Sequence, residues 1–197
     1  MGKITATVVL TVAMLVSTAS AQGMHGSELT GGYTYMSADG GSGADRINMN
    51  GWNTGGTIFL NEWLGLEGNF GNAWHSESVT ALGSTADVKL NSYTYVFGPR
   101  FSFGKGRRTN PFFHALLGFD RLSADTSTTI AGVTTKISAS DTGFATTLGG
   151  GVVFGMSKHV GIITGGDYLM ARHDATQNNF RISGGMVFRF GSASWEK

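Results

Sequence analysis

From Glu28 onward the chain alternates with period two, aromatic and aliphatic residues holding one parity and small or polar residues the other. Eight segments carry the pattern: Glu28 to Ser37, Gly51 to Leu60, Leu64 to Trp74, Lys89 to Phe103, Phe112 to Arg121, Thr142 to Gly155, Val160 to Met170 and Asn179 to Phe190. In the fourth, Tyr93, Tyr95, Phe97, Phe101 and Phe103 share one face, and Thr94, Gly98, Arg100 and Ser102 share the other. In the third, Leu64, Leu66, Phe70 and Trp74 oppose Gly65, Glu67, Asn69 and Gly71. The second is ambiguous, because Trp52, Ile58 and Leu60 compete with Phe59 for the outer face.

The links between segments carry an independent signal. Those around Ala38 to Asn50, His75 to Val88, Leu122 to Asp141 and Ala171 to Asn178 read as long loops rich in Gly, Ser, Thr and Asp. Asn61 to Trp63 and Met156 to His159 are tight, and Gly104 to Asn110 is intermediate. Long and short links alternate, so an antiparallel sheet would carry its long loops at one end and its turns at the other. Segments of about ten residues suit a tilted crossing of an apolar band about 25 Å tall, and a membrane-spanning barrel shows the same asymmetry of loops. The predicted fold is therefore all-β, an eight-stranded antiparallel up-and-down transmembrane barrel.

Composition decides between this and a soluble barrel. Only 14% of residues are charged and 31 are Gly. A soluble barrel with an internal ligand cavity would need a charged exterior, whereas here the face opposite the apolar one holds mainly Gly, Thr and Ser, too small and polar for that surface. The formal charge of +1 offers no field for nucleic acid. Without Cys the fold has no disulfides. Met1-Gly2-Lys3, the apolar run Val8 to Val16 and Ser17-Thr18-Ala19-Ser20-Ala21 read as a signal peptide cut after Ala21. The expected organisation is a signal peptide at 1–21, a barrel at 22–190 and a short periplasmic tail at 191–197, both ends of the barrel lying on the periplasmic side.

Ten aromatics fall near predicted strand ends, where amphipathic rings would form girdles at headgroup depth: Tyr33, Tyr35, Trp63, Trp74, Tyr93, Phe103, Phe113, Phe154, Tyr168 and Phe190. The runs Tyr93-Thr94-Tyr95-Val96-Phe97-Gly98-Pro99-Arg100-Phe101, Asp167-Tyr168-Leu169 and the segment from Asn178 to Phe190 resemble the OmpA/OmpX-like family of small outer-membrane β-barrels. The resemblance implies a bacterial outer-membrane location, contact with membrane lipid and a final strand read by the barrel-assembly machinery, while the acidic residues of the long links are expected to meet lipopolysaccharide through divalent cations. Phe190 is followed by Gly191 to Lys197, so here the closing aromatic is not terminal. No peptidoglycan-binding domain is expected after the barrel, so that role is not carried over from the resemblance.

Parity puts Glu28, Glu67, Arg100, His114, Asp120, Asp167, Arg181 and Arg189 inside the barrel. Counting depth from the turns pairs Glu67 with Arg100, with His114 beside them, Asp167 with Arg181, and Glu28 with Arg189. An eight-stranded lumen is just wide enough for side chains, so these groups are expected to be structural charge pairs rather than a catalytic set. No His or Cys spacing suggests a metal, no Gly-rich loop suggests a nucleotide, and His75-Ser76-Glu77 lies too close in sequence to build a triad. Lys105, Arg107 and Arg108 form a basic cluster in the fourth link, and Asp39, Asp45, Glu77, Asp87, Asp125, Asp141 and Asp174 lie in the long ones. The expected function is a structural or surface-interaction role in envelope integrity or adhesion. The protein is expected to be monomeric, non-enzymatic and cofactor-free, with an extracellular ligand held by the loops. A narrow solute pore and a lipid-modifying barrel enzyme are the alternatives.

Overall fold

The computed structural model describes residues 25–40, 45–81, 84–104, 107–130, 133–173 and 176–191. The leader, the tail beyond Gly191, Lys105 and Asp174 lie outside the described residues. Eight antiparallel strands close in chain order into a barrel: β1 (Ser27–Ala38), β2 (Ile47–Phe59), β3 (Leu64–Ala81), β4 (Ser84–Ser102), β5 (Thr109–Ile130), β6 (Val133–Gly155), β7 (Val160–Arg172) and β8 (Thr176–Phe190). Closure between β1 and β8 sets Glu28 opposite Arg189. No edge then remains in the barrel wall, as a lipid environment requires.

The tight links are fixed by side chains that serve as local acceptors. Asn61 Oδ1 accepts from the amides of Trp63 (2.9 Å) and Leu64 (2.7 Å), and Ser157 Oγ accepts from the amide of Val160 (3.3 Å). Gly104 turns the chain after β4 with φ +99, a conformation that glycine adopts without a Cβ penalty.

Two sequence expectations are corrected. The segments 75–88 and 122–141 are not loops: β3 pairs with β4 up to Ala81↔Ser84, and β5 with β6 up to Ile130↔Val133. Ser and Asp suggested loops, but Thr is a good strand former and the ladder needs only backbone amides and carbonyls. In β2, Phe59 is fully buried inside, while Trp52 faces out and Leu60 falls in the turn.

The long strands have a structural consequence. A membrane crossing uses about 9 to 11 residues, and β5 and β6 have 22 and 23. β3 to β6 therefore continue past the apolar band as a four-stranded sheet. The ladder of β2 with β3 stops at Asn50↔Trp74 and that of β6 with β7 at Phe144↔Arg172. Among the described residues, 75–81 of β3 and 133–143 of β6 thus have a ladder partner on one side alone.

Candidate functional site

All eight interior charges inferred from parity are buried. Seven of them join into one chain that crosses the barrel. Arg189 pairs closely with Glu28, Arg100 Nη2 lies 3.2 Å from the second oxygen of Glu28, and Arg100 Nη1 lies 3.8 Å from Glu67 Oε2. The two ring nitrogens of His114 sit 3.1 Å from Glu67 Oε2 and 3.0 Å from Asp167 Oδ1. Arg181 ends the chain, its Nε and Nη2 donating to Asp167 Oδ2 at 2.9 and 2.7 Å. Glycine makes the room: a Cβ on Gly149 would stand 2.1 Å from Asp167 Oδ1. Glu67 and Arg100 do meet, but Arg100 is held by two carboxylates, by Thr57 Oγ1 at 3.2 Å and over the ring of Phe112 at 4.0 Å.

Asp120 stands apart from this chain. It accepts from Ser92 Oγ (2.7 Å) and Thr94 Oγ1 (2.9 Å), and His173 bridges it to Asp141 at 3.3 and 3.2 Å. Between the two polar groups lies an apolar layer that the sequence reading did not anticipate. Met36, Met49, Ala73, Val96, Leu116, Ala145 and Leu169, one from each of β1 to β7, form a single buried cluster. The signal was present, since the parity that turns His114 and Asp120 inward turns Leu116 inward too. Phe112, Val153 and Val187 make a smaller apolar cluster beside the charges. Within the charged layer a cavity of about 30 Å³, lined by Asn53, Asn69, Glu67, His114 and Asp167 among others, has room for one or two waters.

Arranged in this way, the interior charges are paired with one another and packed between apolar layers. His75, His114, His159 and His173 face carboxylates or backbone carbonyls, not a serine hydroxyl. The His75 ring lies 3.8 Å from Glu77, with no Ser76 contact to complete a relay.

Outside, Tyr33, Tyr35, Trp63, Trp74, Phe103, Phe113, Phe154 and Phe190 are exposed. Tyr93 and Tyr168 are half-buried, the Tyr168 hydroxyl donating to Asn178 Oδ1 at 2.6 Å. Trp63, Phe103, Phe113, Phe154 and Phe190 ring the short-turn end; the other five lie toward the long-hairpin end. Between the two belts the exterior is filled by Phe97, Leu117, Phe119, Leu148, Ile162, Ile182 and Met186, all exposed. This girdled apolar band is the surface of a membrane barrel.

A family model, the outer membrane protein beta-barrel domain, matches residues 6–191. The chain belongs to this family. Solved structures agree on the fold of the outer membrane protein beta-barrel. Ail, the attachment invasion locus protein of Yersinia pestis, in complex with the heparin analogue sucrose octasulfate, is 22% identical, with 85% of this chain and 100% of that one covered and a TM-score of 0.63. Neisserial surface protein A is 14% identical, with 83% and 97% covered and a TM-score of 0.55. A search of curated proteins finds no match. In barrels of this kind the short turns are periplasmic and the long hairpins external.

Proposed function

We propose that the protein is a surface-interaction protein of the outer membrane, in which the barrel is an anchor and the external part of β3 to β6 is the interface. The observation that carries this reading is the pair of open strand edges, 75–81 and 133–143, standing beyond the membrane band. An edge strand offers unpaired amides and carbonyls to an extended segment of another polypeptide, while alternate side chains set its specificity. The apolar parity also inverts there. In the band it faces lipid, but in the extension Val88, Leu90, Leu122, Ala124, Ile137 and Ala139 share the inward parity, and Lys89, Asp125, Lys136 and Ser138 the outward one. Ile137 is 68% exposed. An apolar row that packs on the lumen cluster at Leu90 but stands exposed at Val88 and Ile137, bordered by a free edge, suits adhesion by strand addition better than solute passage.

The test replaces Asp125–Ser138 with Asn-Gly, a two-residue turn that joins the facing residues Ala124 and Ala139. Cells carrying the full or trimmed protein are scored for attachment to matrix-protein-coated surfaces and to one another. Attachment should fall in the trimmed cells at equal surface amounts of barrel. Equal attachment by both would remove the role assigned to the β5–β6 hairpin and its edge, leaving the β3 edge as the one part of the extension that could still carry it.

A further inference from the structure

At the short-turn end the rim carries a groove of about 610 Å³ between the β2–β3 and β4–β5 turns, within the size range of small-molecule sites. Glu62, Trp63, Phe103, Arg107, Thr109 and Pro111 line it. Glu62 and Arg107 are both exposed, and neither side chain makes an ion pair or hydrogen bond with another described residue. One carboxylate and one guanidinium thus share a groove without joining. The apolar wall is the girdle itself: Trp63 is 52% and Phe103 59% exposed, and Trp63 is held in place by stacking on Phe101 at 5.9 Å with 14° between the ring planes.

We propose that this groove binds the headgroup of a zwitterionic phospholipid of the phosphoethanolamine class from the periplasmic leaflet. Arg107 takes the phosphodiester, for which a guanidinium fork is well shaped, with the Thr109 hydroxyl beside it. Glu62 takes the primary ammonium. Trp63, Phe103 and Pro111 carry the glycerol and the first methylenes, since Trp63 and Phe103 both line the groove and stand exposed in the aromatic belt. The sign pattern selects the headgroup. An anionic lipid would satisfy Arg107 and meet repulsion from Glu62, and a quaternary ammonium has no N–H to donate to the carboxylate. The depth selects a lipid over a periplasmic protein, because these rings sit in the belt at headgroup level.

The test titrates dihexanoylphosphatidylethanolamine into the full barrel in maltoside micelles and follows the Trp63 indole N–H resonance, assigned by its loss in Trp63→Phe. A saturable shift is expected, with affinity lowered about tenfold in Glu62→Gln and in Arg107→Gln, each of which removes one charge-assisted hydrogen bond. The phosphatidylcholine and phosphatidylglycerol analogues should bind more weakly than phosphatidylethanolamine to the wild type, and Glu62→Gln should strengthen phosphatidylglycerol binding. Both substitutions are at exposed positions, and unchanged heat-modifiable gel migration verifies their fold. A shift that never saturates, variants that bind like wild type, or a wild type that prefers phosphatidylglycerol would each overturn the assignment.

Discussion

Glu28 is the residue on which the interior charges depend most. It is fully buried at the seam where β1 meets β8, and its two oxygens face two different arginines, Arg189 and Arg100. Remove Arg100 and each carboxylate keeps a partner, Glu28 with Arg189 and Glu67 with His114. Remove Glu28 and Arg100 keeps Glu67, but the buried guanidinium groups of Arg100 and Arg189 lose the carboxylate that lay between them. Glu28→Ala should therefore cost on the order of 3 to 5 kcal/mol, and Arg100→Ala roughly 2 to 3, read as urea midpoints of the heat-modifiable band. An Arg100→Ala loss larger than that of Glu28→Ala would show that the chain of charges does not share its load in this way. Exchanging Glu67 and Arg100 is not expected to restore stability, because a carboxylate at position 100 would face Glu28. Parity and depth counting were enough to gather these residues in one lumen, since a strand alternates by rule. They could not show Glu28 reaching Arg100 across the barrel, which depends on side-chain length and stagger rather than on neighbouring rungs.

At the scale of elements, β5 and β6 are each two structures in one strand. Up to Phe119 and Phe144 they are lipid-facing staves; beyond, they are half of an external sheet whose apolar side has turned inward. Leu122, Ala124, Ile137 and Ala139 carry that reversal in the sequence, but the Ser, Thr and Asp around them look like loop, and the reversed parity conceals the continuation. A barrel closed by eight ladders below this level does not need the extension. Trimming 125–138 should thus leave the temperature at which the folded band disappears within about 3 °C of wild type, because surface changes away from core and network are usually within about 0.5 kcal/mol. A fall of 10 °C or more would mean that the hairpin braces the barrel, and the loss of attachment in trimmed cells would then need another explanation.

The whole molecule is a barrel closed in series. An ion entering from outside meets the Asp120 and His173 layer, then an apolar layer with contributions from β1 to β7, then paired charges with space for one or two waters. Crossing the apolar layer strips hydration with nothing to replace it, and crossing the charged layer means breaking pairs whose partners would be left buried. Either step is costly alone. The barrel reconstituted in planar bilayers should show no sustained open channel. The hairpin-trimmed protein should be equally silent, because both closures lie among residues the trim leaves in place: the charged layer at Glu28, Arg100, Glu67 and His114, and the apolar layer at Met36, Met49 and Leu116. Openings in both proteins would mean that the lumen is not sealed and would favour a pore. Openings in the trimmed protein alone would put the seal in the external hairpin, and the β5–β6 extension would then act as a plug rather than an adhesive surface.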